Sequence, residues 1–336
     1  MPAEWLYEEG IGECRAALVE RGHILEALIE REGDHVLGGA VVQGRLVRTL
    51  IPRKRGIVRL LHSGEEVLME PIPPKLAEGG TLFVEITRER IGEEGRDKLA
   101  KGRAALPGSK PQPGPSLLQR IRATDLPVVP CPAHQADALE AHGWSELLEQ
   151  AISGDVGTEA AALRIFLTPA MVLIDVDGSL PPAQLGPKGA KLAAIAIRQM
   201  GLTGSIGIDL PTLNNKDERA ITAAQIDKIL PLPFERTAVN GFGFIQIIRK
   251  RERPSLMELL REEPALTAAL ALVRRAERHE SGGAGQGGAV TIHGHPAVLD
   301  KIRKGGDWMA RLEKRRGGAV VLQQDASLGM NAGHVS

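Results

Sequence analysis

Two short branched-apolar runs, each ending in carboxylate, constrain this chain more than any other feature. Met171-Val-Leu-Ile-Asp-Val-Asp-Gly-Ser179 delivers Asp175 and Asp177, and Gly204-Ser-Ile-Gly-Ile-Asp-Leu210 delivers Asp209. Between them the spacing predicts one helix from Gly186 to Met200, with Leu192, Ile195, Ala196 and Met200 on one face. Gly201 and Gly204 supply its stop. Strand, helix, strand in so few residues is a β-α-β crossover, which makes the strands parallel and puts their C-terminal ends on one sheet edge. Asp175 and Asp209 are expected to meet there, where open α/β sheets hold ligands. Carboxylates gathered in this way repel one another unless a hard cation neutralises them, and Mg²⁺ is the usual one.

Around this unit, 336 residues leave room for two or three domains. Aromatics make up only 3% of the chain, so burial has to rest on Leu, Ile, Val and Ala. The formal net charge of zero excludes a basic coat over the whole surface, but it permits a local basic face. Cys14 and Cys131 are too isolated to suggest a disulfide framework or a zinc pair. The N-terminus is acidic without an apolar signal core, and no apolar run is long enough to span a bilayer. The expectation is a cytoplasmic protein without a membrane partner.

In chain order, residues 1–35 read as strands joining the core, including Cys14-Arg-Ala-Ala-Leu-Val and Ile24-Leu-Glu-Ala-Leu-Ile. Residues 36–103 contain closely spaced strand-like runs: Ala40-Val-Val, Arg45-Leu-Val, Gly56-Ile-Val-Arg-Leu-Leu, Glu66-Val-Leu-Met and Thr81-Leu-Phe-Val-Glu-Ile. That spacing suggests a small, partial barrel of the OB type. Arg45, Arg48, Arg53, Lys54 and Arg55 fall in a stretch without acids. It reads either as a solvated strand face or as a track for phosphates. Residues 104–116 are a Pro/Gly linker. Residues 117–280 form the α/β unit: mostly helical to 160, then the crossover, a helix from the Asn-rich turn to Leu230, a strand at Val239–Ile248 and helices near 255–262 and 264–279. A second basic group, Arg249, Lys250 and Arg251, follows that strand. A flexible Gly-rich tract at 281–288 precedes a small β-α-β module at 289–336. The fold class is therefore α/β: a mixed or parallel sheet with crossover helices, a barrel inserted near the N-terminus, and a small C-terminal module.

Several chemistries fit Ile174-Asp-Val-Asp-Gly-Ser179. It resembles the nucleophile motif of haloacid-dehalogenase-type phosphatases, in which the first Asp is phosphorylated. That family also uses a late acidic pair, which does not follow Asp209 here. A structural alternative is that Asp175 and Asp177 cap the following turn. The chain also resembles the ribonuclease E/G family, as a shortened member. Ile174-Asp-Val-Asp-Gly-Ser179 is similar to that family's Ile-Asp-Ile-Asn-Ser segment, and Ile206-Gly-Ile-Asp-Leu210 to its Ile-Val-Ile-Asp-Phe. Gly241-Phe-Gly-Phe-Ile-Gln-Ile-Ile-Arg-Lys-Arg-Glu-Arg-Pro-Ser-Leu256 resembles the stretch that follows. Cys14-Arg-Ala-Ala-Leu-Val-Glu-Arg-Gly resembles the opening strand, and Gln43-Gly-Arg-Leu-Val-Arg with Thr81-Leu-Phe-Val-Glu-Ile-Thr-Arg-Glu the edges of the S1 domain. The matches fall in order over 13–103 and 163–256.

This resemblance implies a metal-dependent endoribonuclease that cuts single-stranded RNA in RNA processing. Asp175 and Asp209 would hold Mg²⁺, with Mn²⁺ as a substitute, and Asp177 would be a third ligand or orienting group. Arg45, Arg48, Arg53, Lys54, Arg55, Arg249, Lys250 and Arg251 would hold the RNA backbone. The departures carry expectations too. Asp177 stands where the family has Asn. The short section before the crossover leaves no place for a 5′-phosphate sensor. No Cys follows Pro254-Ser-Leu256, so neither structural zinc nor a zinc-linked dimer is expected, and the oligomeric state stays open. A catalytically weak, RNA-binding relative with a regulatory role is the alternative.

Overall fold

The computed structural model describes residues 2–33, 35–93, 97–279 and 289–336. The expected Gly-rich tract at 281–288 lies outside the described residues. The chain opens with an antiparallel meander of β1 (Glu4–Glu9), β2 (Glu13–Glu20) and β3 (His23–Arg31). A closed five-stranded barrel follows, made of β4 (Val41–Ile51), β5 (Arg55–Leu60), β6 (Glu66–Met69), β7 (Thr81–Arg88) and β8 (Ala100–Ala104) in the order β4-β5-β6-β8-β7. Leu46, Val58, Val67, Met69, Val84 and Ile86 fill its interior. The runs Ala40-Val-Val and Arg45-Leu-Val are one strand, not two. Gly44 sits inside β4 because a Cβ there would stand 2.4 Å from Val58 Cγ1, so this glycine marks close packing within a barrel strand.

The Pro/Gly stretch after β8 is tied to the barrel, since Val41 and Gln112 form an antiparallel bridge. Ser116 and Gln119 then make a capping box that starts α1 (Leu117–Arg122). The region to 160 is less helical than its sequence suggests. It contains β9 (Val128–Pro130), which extends the first sheet beside β1, then α2 (Trp144–Ser153) and β10 (Asp155–Thr158).

The central sheet has the order β10-β11-β12-β13-β15-β14. Its further strands are β11 (Ala161–Leu167), β12 (Val172–Asp177), β13 (Gly204–Asp209), β14 (Glu235–Arg236) and β15 (Phe244–Arg249). Strands β12 and β13 are parallel, as the crossover reading requires, and the other neighbours are antiparallel. Helix α3 (Pro182–Gln199) links the parallel pair, and α4 (Lys216–Ile229) starts at the cap Asn215.

Helix α3 lies between two sheets. Arg198 pairs with Glu26 of β3 at 3.0 Å and Gln199 donates to the Ile24 carbonyl at 2.8 Å. On the central-sheet side, a Cβ on Gly189 would stand 2.2 Å from Val176 Cγ1. Burial on two sides explains why its buried positions, Leu185 and Ile197 apart, are all small: Gly186, Gly189, Ala190, Ala193, Ala194 and Ala196. The larger Leu192 and Ile195, expected on the buried face with Ala196 and Met200, are only half-buried.

Helices α5 (Leu256–Glu262) and α6 (Pro264–Arg278) fall where the sequence puts them. The last module comprises β16 (Val290–Gly294), α7 (Pro296–Lys304), α8 (Trp308–Arg316), β17 (Val320–Gln324) and β18 (His334–Val335). β16 and β17 are parallel, and β18 is antiparallel to β16. Leu270, Leu272 and Val273 of α6 share one core with Ile292, Leu299 and Leu312, so α6 packs with this module. Among the described residues no helix is long and apolar enough to cross a membrane.

Candidate functional site

Strand alternation decides which way the carboxylates face. In β12, Val172, Ile174 and Val176 enter the core shared with α3, so Leu173, Asp175 and Asp177 project from the opposite face. In β13 the same alternation buries Ile206 and Ile208 and sends Ser205, Gly207 and Asp209 outward. Asp175 and Asp209 are direct register partners on the parallel pair. Neighbouring strands lie about 4.8 Å apart, so the two side chains leave the sheet side by side. Asp175 is half-buried and Asp209 exposed. Neither side chain has a hydrogen bond or ion pair to a described residue.

Like charges directly opposite one another destabilise a sheet. Two unpartnered carboxylates on an open face are an oxygen donor set that suits a hard divalent cation. Mg²⁺ is commonly held by one or two carboxylates and otherwise by water and substrate phosphate. The donors present fit that pattern. Among the described residues no three His, Cys, Asp or Glu side chains are grouped to hold a metal ion. Asp177, expected as a third ligand or orienting group, projects from the same face, but its Oδ1 accepts the Gly178 N–H at 2.7 Å. That bond is the turn-capping role considered for this residue. The fold thus brings together a pair, with Asp177 shaping the loop beside it.

The basic residues separate into two groups. Arg45 and Arg48 on β4 and Arg53 and Lys54 in the β4–β5 turn are exposed, with no side-chain partner among the described residues. Arg55 is held by Glu70 at 3.0 Å, and the neighbouring Arg59 by Glu66 at 2.9 Å. The second group is different. Arg249 lies on the helix-covered face of β15 and donates to the Leu202 carbonyl at 2.8 Å and the Ile197 carbonyl at 3.5 Å. Burial pushes its pKa down. Arg251 pairs with Glu258 and lies 3.6 Å from Glu93. Of the three expected phosphate-holding residues here only Lys250 points to solvent, with its side chain 74% exposed and paired to Glu252. The alternation of β15 and the cap of α5, not a basic surface, account for Arg249 and Arg251.

A cavity of about 700 Å³ opens at the other end of the parallel strands, lined by Met171, Thr203, Ser205, Arg251, Glu258 and Arg261. It lies at the opposite end of the strands from Asp175 and Asp209, which stand on an open face.

Sequence reading overlooked the neighbours of the pair. Arg164 of β11 is the register partner of Asp175, and Phe244 of β15 that of Asp209. Phe166, 49% exposed, is the partner of Leu173 on the same face. The signal was present as alternation in Ala161-Ala-Leu-Arg-Ile-Phe-Leu167, where Leu163 and Ile165 are buried while Arg164 and Phe166 are exposed. No family model matches the chain, and no curated protein matches it.

Proposed function

We propose that this protein is a metal-dependent endoribonuclease acting on single-stranded RNA in the cytoplasm. The observation that carries the reading is the register pairing of Asp175 with Asp209, unpartnered among the described residues, on the open face of the central sheet. The ordered resemblance to the ribonuclease E/G family supports it. The barrel, in this reading, is a reduced S1-like domain. Its exposed Arg45, Arg48, Arg53 and Lys54 draw in the phosphate backbone, which gives affinity without sequence readout.

Asp175 and Asp209 would hold one divalent cation. Bound there, Mg²⁺ or Mn²⁺ supplies a water of lowered pKa as nucleophile and offsets charge on the departing oxygen. The carboxylates fix the position of the reaction, and the open face above them leaves room for a phosphate. Asp177 holds the following loop through Gly178. The second reading, an RNA-binding relative that does not cut, is favoured by one observation: among the described residues only two carboxylates are paired on this face, with Asp177 engaged locally.

A fluorogenic RNA oligomer incubated with Mg²⁺, Mn²⁺ or EDTA tests the assignment, using wild type beside Asp175→Ala and Asp209→Ala. Metal-dependent cutting is expected, falling by about a hundredfold or more in either variant, since even residues that merely support metal ligands cost 10- to 100-fold. Cutting that survives both substitutions removes the assignment. Binding without cutting in wild type selects the non-enzymatic relative, and phosphate release from small phosphomonoesters selects the phosphatase.

A further inference from the structure

The open sheet face carries a row of side chains that extends beyond its carboxylates. Register sets Asp155, Arg164, Asp175, Asp209 and Phe244 in line across β10, β11, β12, β13 and β15. Arg164 is exposed, has no partner among the described residues, and is the one cation of that row. Phe244 reaches sideways, its ring tip lying over Gly207: a Cβ there would stand 2.5 Å from Phe244 Cζ and 3.3 Å from Met171 Sδ. Any other residue at 207 would lift the ring off the sheet. With Phe166 and Leu173 in the adjoining row, the ring gives the acid pair an apolar floor.

We propose that Phe244 is a base-stacking subsite and Arg164 a phosphate-holding one, placed on opposite sides of the acid pair, so that single-stranded RNA crosses the sheet perpendicular to its strands. The inference rests on the nuclease reading above for the identity of the bound chain. From β11 to β15 there are three strand spacings, about 14 Å at about 4.8 Å each. That span accommodates a phosphate with the nucleoside on either side of it. An aromatic face stacks any base, because every base has a π face. The forked guanidinium matches phosphate oxygens bidentately. The row's carboxylates, Asp155, Asp175 and Asp209, by themselves repel a polyanion, and Arg164, set between Asp155 and Asp175, supplies the row's opposing charge beside the place where a phosphate must settle. Phe244 then distinguishes strongly from weakly stacking bases on one side of the cut, while Arg164 contributes affinity without regard to sequence.

The test uses the full chain and RNA oligomers carrying 2-aminopurine at one position at a time. Wild type, Phe244→Leu, Phe244→Trp and Arg164→Gln are compared, with thermal melts confirming that each variant folds. Binding is read in EDTA, and cut sites are mapped in Mg²⁺. Wild type and Phe244→Trp are expected to quench 2-aminopurine at one position, and Phe244→Leu to lose that quenching. In Mg²⁺, Phe244→Leu should flatten base preference at one flanking position by about tenfold, the scale of one stacked base. Arg164→Gln should raise KM by about tenfold and leave the preference intact. A wild type that cuts, with both variants matching it in pattern and KM, overturns the proposal and leaves the nuclease standing. Position-specific quenching without cutting upholds the stacking subsite while the nuclease reading fails. Absence of both overturns both. A wild-type dimer that Phe244→Leu dissociates, with RNA binding unaffected, assigns this face to a second copy of the chain and overturns the proposal as well.

Discussion

Gly243 shows how one residue holds the candidate site together. It has φ of +92°, and a Cβ there would stand 2.2 Å from the Leu210 carbonyl, the residue next to Asp209. Leu210 N–H donates to the Gly243 carbonyl at 3.2 Å, and Asn240 Oδ1 accepts from Phe244 N–H at 3.0 Å, so this turn sets where β15 begins beside Asp209. Gly243→Ala is expected to cost about 1–3 kcal/mol, from left-handed backbone and steric clash together. A denaturant titration measures it, and an unchanged midpoint would refute the steric argument. Glu8, 4% exposed, is a second decisive residue. Burial by itself would raise its pKa, but hydrogen bonds from Arg274 and the charges of Arg15, Arg274 and Arg278 lower it to about 2. A carboxylate depressed on folding contributes stability above its unfolded pKa of 4.5 and loses it as pH falls through the folded value. The contribution, on the order of 3 kcal/mol, should disappear between pH 4.5 and about 2. Glu8→Gln removes the carboxylate that three arginines share, leaving Glu13 beside Arg15 and Asp137 beside Arg274 and Arg278. It should cost about 3–5 kcal/mol and flatten the acid limb of a stability–pH curve.

At the scale of elements, α3 fits between the two sheets by being thin. A helix between two sheets has to present small residues on both sides, and Gly189 sits directly against Val176, which lies between Asp175 and Asp177 in β12. Gly189→Ala should push that strand outward at a cost of about 1–3 kcal/mol, the usual penalty of overpacking. Val176→Ala opens the matching space, so the double variant should recover part of the loss. Denaturant midpoints of the two single variants and the double variant form a cycle that isolates the helix–strand interaction. Strictly additive losses would show that the helix and strand do not meet in the way described.

For the whole molecule, the question is how the barrel is held relative to the central sheet. Arg90 of the segment after β7 pairs with Glu262 of α5 at 2.6 Å, Arg253 pairs with Glu89 at 3.1 Å, and Glu89 N–H donates to the Glu252 carbonyl at 2.9 Å. At the other end, Glu8 of β1 bonds Arg274 at 2.8 Å and also Arg278, which fastens α6 and its module to the first sheet. The basic strip on β4 and its turn is therefore attached to the unit that carries the carboxylates. If it supplies the phosphate track, replacing Arg45, Arg48, Arg53 and Lys54 by Gln should weaken RNA binding at low salt. It should also reduce the slope of log affinity against log salt by roughly 0.7 for every phosphate that is no longer neutralised. The same change at Arg249 should cost stability instead, because its guanidinium serves backbone carbonyls.

Pattern and caps were legible without a fold. The carboxylate-ended runs of β12 and β13, the parallel pairing around α3, the Asn215 start of α4 and the break between α5 and α6 all follow from local periodicity and capping chemistry, whereas the expected final β-α-β module has two helices, α7 and α8, and a third strand, β18. Those signals live within a few residues, and neighbours in sequence suffice to produce them. What the sequence left hidden depends on neighbours across strands. The alternation of β11 is local, but which strand it joins is not, so Arg164 comes beside Asp175 only through register. Alternation of β15 turns Arg249 inward although it reads as part of a basic cluster. Pairing and strand parity are decided by which face finds a core, and that is a property of the assembled sheets.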